Sequence, residues 1–467
     1  MTLGAGVAGS AVLAACGAPA AESTKSAPTT SRYSSRPDLE PPRIDVNGPG
    51  PLHQSGYFFL SPGGPLMVDD AGQPVWIHPV SDSCTNFKMQ TYQGQPVLTW
   101  WQGEVASYGV GKRGECPIMD SSYNLIKTVV AGNGLQADLH EFILTNEGTA
   151  YLTAYREVVR DLSVVDGPKR GTMLDAIVQE VDVASGAVLF EWHSADHIHL
   201  GESYRTYSKA PYDPVHINSI EQTDDGHLLF SARHTWTIYK VNRDTGAIMW
   251  RLGGKNGDFS LGPRVRFAWQ HDARQHPGSV ISLFDDEASP AEANQSRGLF
   301  LHVDEAAMRA SFMREYRHPK KRLLAGSQGS VQLLADDDVI VGWGALPYYT
   351  QFRTDGSLVT DAMLRKGHSY RAFRYPWSGR PTDDPAIAIK RKVPGKLAIY
   401  ASWNGATDVE HWNVLAGSNS STLTSVASAP RMGFETEIAL GTAAAYVAVQ
   451  AIDAAGAILG TSRPQKT

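Results

Sequence analysis

Helix-forming patterns, cysteine and basic charge are all scarce in this chain of 467 residues. Sustained 3.6-residue periodicity is rare, and its best example, residues 303–316, fits two strands and a turn equally well. Three cysteines are too few for a small scaffold held together by disulfides. The formal net charge of −6 gives no sign of a basic face, so nucleic acid is not an expected partner.

Several short motifs that mark common catalytic sites are also missing. The chain has no Gly-rich phosphate cradle, no G-x-S-x-G elbow and no H-E-x-x-H helix. Gly (44) and Pro (27) are instead plentiful, as expected for many short strands joined by turns. With 467 residues, the chain is too long for one ordinary core and predicts two domains, or one large repeat domain with an appendage.

The first 50 residues are typical of export and tethering. Residues 2–15 form a short apolar run that ends at Cys16; the run is too short to span a bilayer and resembles a bacterial lipobox. We expect residues 1–16 to be a signal peptide whose Cys16 is lipidated; a plain signal peptide with an incidental cysteine is the alternative. Residues 17–50, rich in Ala, Pro, Ser and Thr, are expected to be a disordered tether. The protein would then face the extracytoplasmic side, and its lipid would be its only contact with the membrane.

Two cysteines, Cys84 and Cys116, are left for the folded part of the chain. An oxidising compartment permits a disulfide between them. Two unpaired buried thiols are the alternative, because sequence spacing does not fix the distance between Cα atoms.

A strand–turn–strand unit recurs six times. The fourth unit, V-N-R-D-T-G-A-I-M-W, is typical: Asn or Asp and Gly make the turn, and alternating apolar residues follow. The second residues of the units lie at positions 69, 120, 182, 242, 304 and 353, so the intervals are 51, 62, 60, 62 and 49 residues. This spacing predicts an all-β protein with a six-bladed β-propeller over residues 51–379, closed by the return of residues 369–377 to the first blade. An array of β-sandwiches is the alternative, but it would need six cores without linkers.

Residues 380–467 follow a different pattern. Short alternating runs are separated by Asn-Gly, Gly-Ser and Ala-Gly turns, which predicts a small antiparallel sandwich. The segment resembles a fibronectin type III module, with Trp403 and Trp412 as core aromatic residues. It carries no recognisable chemistry, so we interpret it as a packing or spacing module.

Histidines occupy matching places in three of the repeats. His140, His216 and His271 each precede an apolar run, a Gly-bearing turn and a second apolar run. In a propeller the first strand of each blade faces the central channel, so three imidazoles distant in sequence would converge there. Imidazole can act as nucleophile, acid or base near neutral pH, which makes the three residues candidate catalytic groups. Polar side chains that merely face a wet channel are the alternative.

Arginines and aromatic residues lie near the same strands. Guanidinium groups such as those of Arg233 and Arg274, beside imidazoles, suit a tetrahedral oxyanion, sulfate or phosphate. Tyr155 and Trp236 have the chemistry to stack on an aryl group, although packing between blades is the commoner use of such residues.

Metal sites are not predicted. The pattern of His193, His197 and His199 has zinc-like spacing, but it has no cysteine and falls on a connection, so a loop over the channel mouth is favoured. The acidic run from Asp285 to Glu287 lacks further ligand spacing for calcium. No cofactor is expected.

One long stretch carries an ordered set of motifs. It contains D-P-V-H-I-N-S from Asp213, F-S-A-R-H from Phe230, T-G-A-I-M-W-R-L-G-G from Thr245 and Q-H-D-A-R from Gln270. This set resembles the arylsulfotransferase family, and a weaker resemblance extends over residues 55–375. It implies a propeller enzyme of the bacterial envelope that moves a sulfuryl group from an aryl sulfate to a phenol, without a nucleotide donor, through a sulfated channel histidine.

The resemblance also implies roles for individual residues. His216 and His271 match channel histidines of the family, and Arg233 and Arg274 lie in matching motifs. We expect His216 to be the nucleophile and His271 the acid or base at the phenolic oxygen, with His140 beside them. The predicted substrate contacts are Asn218, His234, Trp236, Tyr155 and Gln328.

One departure bears on activity. Enzymatic members have a further histidine in a late blade, where this chain has Gln328. Either another histidine takes over, or transfer is lost and the protein binds an aromatic or sulfated ligand, or a protein partner, without turnover. Hydrolysis, with water in place of the phenol, is a third class. The sequence leaves open the natural donor and acceptor and the oligomeric state.

Overall fold

The computed structural model describes residues 27–48, 56–393, 396–441 and 444–467, and these residues form an all-β protein, as predicted. Its helices are one short α-helix, α1 (Ser194–His197), and two 3-10 turns, Ser163–Val165 and Leu200–Glu202. Residues 303–316 belong to two strands and the turn between them rather than to a helix. Within the described ranges, no helix has the length and apolar character needed to cross a membrane.

Most strands lie between residues 44 and 375 and form antiparallel sets of four. In chain order they are β1 (Ile44–Asn47), β2 (Tyr57–Leu60), β3 (Leu66–Val68), β4 (Pro74–Ile77), β5 (Ser83–Tyr92), β6 (Gln95–Val105), β7 (Gly111–Met119), β8 (Leu125–Val129), β9 (Ala137–Leu144), β10 (Thr149–Arg160), β11 (Gly171–Asp182), β12 (Val188–His193), β13 (Ile217–Gln222), β14 (Leu228–Ala232), β15 (Thr237–Val241), β16 (Ile248–Gly253), β17 (Ser260–Leu261), β18 (His271–His276), β19 (Val280–Asp285), β20 (Arg297–Asp304), β21 (Arg309–Tyr316), β22 (Ser330–Leu333), β23 (Val339–Gly342), β24 (Tyr348–Phe352), β25 (Leu358–Leu364) and β26 (Phe373–Tyr375).

Successive strands pair as hairpins within each set. Five sets are β5–β8, β9–β12, β13–β16, β18–β21 and β22–β25, and the first two join into one eight-stranded sheet where Gly114 of β7 pairs with Ala137 of β9. The sixth joins β2, β3 and β4 to β26, which pairs with β2, so the expected return of residues 369–377 to the first strands is observed. Strand β1 extends the last set by pairing with β25, and β17 lies parallel to β21.

The innermost strands of the sets contact one another in a closed order. Strand β5 contacts β9, β9 contacts β13, β13 contacts β18, β18 contacts β22, β22 contacts β26, and β26 contacts β5. Side-chain amides join neighbouring sets: Nδ2 of Asn86 donates to the carbonyl of His140 at 2.8 Å, and Nδ2 of Asn218 donates to the carbonyl of Gln270 at 2.7 Å. Residues far apart in sequence therefore meet around one axis.

The predicted disordered tether, which was expected to run through residue 50, is too long, because β1 pairs with β25. Ile44 pairs with Leu364, and Leu39 is buried in the same core. The alternating apolar residues of I-D-V-N give this short segment a buried face, so it adds to an open sheet edge. The predicted signal peptide and Cys16 lie outside the described residues.

Of the two alternatives for the cysteines, the structure has two unpaired thiols rather than a disulfide. Both Cys84 and Cys116 are free and buried. They lie on β5 and β7, and β6 separates these strands. Strands are spaced about 4.8 Å apart, so two spacings place the Cα atoms beyond the ~7 Å that a disulfide can bridge.

The C-terminal residues form two further antiparallel sheets. Their strands are β27 (Ala386–Val393), β28 (Lys396–Ser402), β29 (His411–Gly417), β30 (Thr424–Pro430), β31 (Glu435–Leu440), β32 (Tyr446–Ile452), β33 (Ile458–Thr461) and β34 (Gln465–Lys466). One sheet contains β27, β28 and β31, and the other contains the remaining strands. Trp412 is buried in the core between them, and Trp403 is partly buried against it.

Candidate active site

A cavity of about 260 Å³ lies where the innermost strands meet. The three histidines predicted to converge, His140, His216 and His271, all line it. The rings of His140 and His216 are 4.5 Å apart, centroid to centroid. Further residues of the cavity wall are Thr85, Val105, Tyr108, Gly109, Leu139, Arg205, Arg233, His234, Ser327, Gln328 and Tyr370. Imidazoles from three separate sets of strands thus share one polar space.

Two of the histidines are oriented by carboxylates close to them in sequence. Nδ1 of His140 lies 2.5 Å from Oδ2 of Asp138, and Nδ1 of His216 lies 2.6 Å from Oδ2 of Asp213. His216 has a left-handed backbone (φ 59°), an uncommon conformation for a residue other than glycine. The carboxylates hold the hydrogen of each ring on Nδ1, and Nε2 of each ring has no hydrogen-bond partner among the described residues.

Burial and charge oppose each other at this pair of residues. Burial alone would raise the pKa of Asp213, but His216 and His234 hold that pKa well below its ordinary value. Burial lowers the pKa of His216, and the nearby Asp213 only partly restores it. At neutral pH the site therefore contains an uncharged His216 beside an ionised Asp213.

His271 has a different environment. Its Nδ1 lies 2.8 Å from Oδ2 of Asp286, and its Nε2 accepts the backbone N–H of Gln328 at 3.1 Å. Burial lowers the pKa of His271 and raises the pKa of Asp286 well above its ordinary value, so the pair is uncharged. Both ring nitrogens of His271 are thus already engaged.

Arg233 supplies positive charge to the wall of the cavity. Its Nη1 lies 3.1 Å from Nε2 of His234, and its Nη2 donates to the carbonyl of Gly326 at 2.8 Å. Its Nε is buried without a hydrogen-bond partner, and no described carboxylate forms an ion pair with Arg233. A buried guanidinium that lacks a counterion is suited to an anionic ligand.

Arg274, predicted to contact the transferred group, lies outside the cavity wall. Its guanidinium contacts Oδ1 of Asp272 at 2.7 Å and Oε2 of Glu141 at 2.5 Å. The pairing register shifts between His271 and Arg274, and a bulge of this kind redirects the side chains that follow it. The structure does not support the prediction that Arg274 is a catalytic residue, because its guanidinium belongs to an ion-pair network.

That network fills the space next to the cavity. Glu141 is fully buried and contacts Lys88 and Arg371 as well as Arg274. Nη1 of Arg371 donates to both carboxylate oxygens of Glu141 at 3.0 Å, and its Nη2 donates to the carbonyl of Asn218 at 2.8 Å. These residues come from several of the strand sets, so the network joins the sets around the axis.

Three predicted substrate contacts do not line the cavity. Asn218 is buried and links two sets through its amide. Tyr155 lies behind the histidines, 6.1 Å from the ring of His140, and donates to the carbonyl of Ile217 at 2.9 Å. Trp236 stacks on Tyr204 with centroids 3.6 Å apart. The other two, His234 and Gln328, do line it.

Sequence reasoning missed four residues of the site. An aspartate stands two positions before His140 (Asp138) and three positions before His216 (Asp213). This similar spacing could have identified Asp138 from the sequence. For Asp286, the sequence pattern raised only a role in binding calcium. Tyr370 and Arg205 lie on connections outside the repeat, and no pattern in the sequence identifies them. The hydroxyl of Tyr370 is buried without a partner in the described part of the chain.

The geometry of two histidine clusters differs from that of a metal site. His193 contacts Asp175 and Glu191, whereas His197 stacks on Trp192, so the H-x₃-H-x-H pattern does not converge on one point. Ligand atoms of Asp213, His216 and His234 lie within 4.8 Å of one another. The 2.6 Å hydrogen bond between the first two is shorter than the ~3.3 Å expected for two ligands of one zinc ion.

Comparisons with known proteins bear on the family of this chain. No curated protein matches the sequence. Solved structures that resemble this one include a protein of unknown function from Bacteroides caccae (10% identity, TM-score 0.43, 68% of this chain and 99% of that one). Others are virginiamycin B lyase from Staphylococcus aureus (8%, 0.35, 76% and 95%) and the Dos1 propeller (9%, 0.34, 79% and 79%).

The family match covers the strands that carry the site. The sequence profile of the arylsulfotransferase (ASST) family matches residues 88–365, which is more than half of the chain and includes every predicted channel histidine. The resemblance predicted from the motifs between Asp213 and Phe284 is thereby confirmed. This chain is a member of the arylsulfotransferase family.

Proposed function

We propose that the protein transfers a sulfuryl group from an aryl sulfate ester to a phenol, with His216 as the nucleophile. The observation that carries this proposal is the state of the His216 ring. Asp213 holds Nδ1, Nε2 has no partner among the described residues, and the ring faces a cavity that also contains Arg233. An uncharged imidazole with a free lone pair beside an unpaired guanidinium is what attack on a sulfate ester requires.

The proposal includes the architecture around the site. The closed order of the innermost strands supports six blades of a propeller over about residues 51–379, with the cavity in the central channel. The two C-terminal sheets support a fibronectin III-like sandwich over residues 380–467.

In the first step the Nε2 lone pair of His216 attacks sulfur. The N–S bond forms as the bond between sulfur and the aryl oxygen breaks, and the bonding electrons leave on that oxygen. Charge spreads over the three other sulfate oxygens, where Arg233 stabilises it. The sulfated ring is an imidazolium with its hydrogen still on Nδ1, so the ionised Asp213 stabilises the intermediate.

The aryl oxygen departs with a negative charge, and Tyr370 stabilises it by donating a hydrogen bond. Tyr370 is a residue of the cavity wall, and its buried hydroxyl lacks a partner among the described residues. Burial raises the pKa of Tyr370, so the group is protonated at neutral pH and acts as a hydrogen-bond donor. In the second step the oxygen of the acceptor phenol bonds to sulfur and gives up its proton to water, the N–S bond breaks, and its electrons return to Nε2.

Export and a lipid anchor at Cys16 complete the proposal. The apolar run that ends at Cys16 supports delivery to the extracytoplasmic side, where sulfate esters and phenols would be the partners.

The test is to incubate the protein with 4-nitrophenyl sulfate, with and without phenol, and to map sulfated residues by mass spectrometry. Transfer to phenol together with a sulfate group on His216 supports the proposal. A sulfate group on His140, whose Nε2 is equally free, moves the nucleophile within the same site. Continued release of nitrophenol without an acceptor, beyond one equivalent per protein, indicates hydrolysis, and binding without turnover indicates a binding protein; either result contradicts transfer.

A further inference from the structure

One cation of the cavity has no role in the steps above. Arg205 lines the cavity and is exposed, so it lies in the part of the wall that forms the mouth. Its side chain forms no ion pair or hydrogen bond with any described residue. Exposed arginines without a partner usually lie on a convex surface, whereas Arg205 faces a concave site that already contains Arg233.

The backbone of Arg205 is fixed on both sides. The N–H of Tyr204 donates to the carbonyl of His234 at 2.8 Å, and the ring of Tyr204 stacks on Trp236. On the other side, the hydroxyl of Tyr212 donates to the carbonyl of Arg205 at 2.8 Å. The loop therefore fixes the backbone of Arg205 at the mouth, and Trp236 acts on this position through Tyr204 instead of lining the cavity.

The two guanidiniums of the cavity share no counterion. Asp213 and Asp286 are committed to His216 and His271, and neither forms an ion pair with Arg205 or Arg233. Burial lowers the pKa of Arg233; the nearby Asp286 and Asp213 oppose this shift, and the positive charge of Arg205 adds to it. One sulfate group satisfies Arg233, so a single charge is still unmatched at the mouth.

We propose that the substrates are aryl sulfates with a second anionic substituent, such as a carboxylate, which Arg205 binds. This inference rests on the proposed function, because it places the sulfate group at His216 and Arg233. A guanidinium pairs with a carboxylate through two parallel hydrogen bonds. The cavity, about 260 Å³ with Leu139 and Val105 in its wall, has room for one aromatic ring between the two charged ends.

The experiment compares two donors of similar shape, 4-(sulfooxy)benzoate and its methyl ester. We expect wild-type kcat/KM to favour the carboxylate by about fivefold to tenfold, the size of a partly exposed charge pair. Arg205→Met should remove this preference by slowing only the carboxylate substrate, and Arg205→Lys should retain most of it. Arg170→Met, the same change at another exposed arginine, is the matched control and should leave the preference unchanged.

Two outcomes overturn the inference. One is equal loss for both donors in Arg205→Met, which would mean that Arg205 contacts the sulfate. The other is a wild-type protein that does not distinguish the donors. Calorimetric binding of the same two compounds separates this inference from the proposed function. If neither is turned over but the carboxylate binds about fivefold more tightly, and only with Arg205 present, transfer fails and the anion site stands.

Discussion

The backbone N–H of Gln328 donates to Nε2 of His271, 3.1 Å away, while Asp286 holds the other nitrogen of the same ring. Gln328, at the position where the resemblance implies a histidine, has a left-handed backbone (φ 69°). The lone pair that a nucleophile needs is occupied in His271. The transfer that we propose therefore has His216 or His140 as its nucleophile.

The first prediction separates the histidines. His216→Asn should lower kcat at least about 1,000-fold, because the covalent route is lost. His271→Asn should lower kcat only about tenfold, because it alters the wall of the cavity without removing the nucleophile. Steady-state kinetics and mapping of the sulfated residue in each variant provide the measurement. A sulfate group on His271 in the wild-type protein would refute the assignment.

The second prediction concerns the carboxylate behind His216. The amide of Asp213→Asn can donate to Nδ1, which moves the ring hydrogen to Nε2 and blocks attack, so kcat should fall about 100- to 10,000-fold. Asp213 raises the pKa of His216, so its removal should lower that pKa further. Because the neutral ring is the active form, the acidic limb of the residual pH–rate profile should move to lower pH. A shift to higher pH would contradict the charge assignment.

The third prediction tests Tyr370 as the hydrogen-bond donor to the departing oxygen. Tyr370→Phe removes only the hydroxyl, so binding should change little. Poorer leaving groups, which develop more negative charge on that oxygen, should suffer most: kcat should fall about 10- to 100-fold with phenyl sulfate and much less with 4-nitrophenyl sulfate. The slope of rate against leaving-group pKa is the measurement. Equal losses for both esters would assign Tyr370 a packing role.

The fourth prediction concerns stability. Arg371→Met leaves Glu141 with fewer partners in a fully buried site, and we expect the free energy of unfolding to fall by about 3–5 kcal/mol. Adding Glu141→Gln should recover part of this loss, and a urea-denaturation double-mutant cycle gives the coupling energy. The exposed control Arg170→Met should change stability by less than about 0.5 kcal/mol. Additive effects of the two buried changes would show that the ion pair is not coupled.

The fifth prediction follows from the two free thiols. Burial raises the pKa of Cys84 and of Cys116, so neither should react with a maleimide in the folded protein. Both should be labelled in urea without a reducing agent, as shown by peptide mapping. A requirement for reductant would reveal a disulfide and contradict the strand order.

The repeat spacing explains why part of the site was predictable. Matching positions in equivalent strands face the same axis, so the meeting of His140, His216 and His271 follows from counting residues. Arg274 was misassigned because a bulge after His271 breaks the alternation on which such counting depends. Asn218 lies within a similar register shift, between Ile217 and Ser219.

Residues on connections were beyond this kind of reasoning. Arg205 and Tyr370 reach the cavity because stacking, loop anchoring and closure of the first sheet place them there, and none of these follows from periodicity. The predicted tether was too long for a related reason. The four residues of β1 are too short a run to be identified as a strand unless the open edge of β25 is known.

The pairing of β1 with β25 has a consequence for assembly. Ile44 finds its partner, Leu364, only after the intervening sheets have been translated, so this edge forms late in synthesis at the earliest. The first sheet likewise waits for Phe373. A chain truncated before these late strands would therefore leave the edges of two sheets open, even though its other sheets were complete.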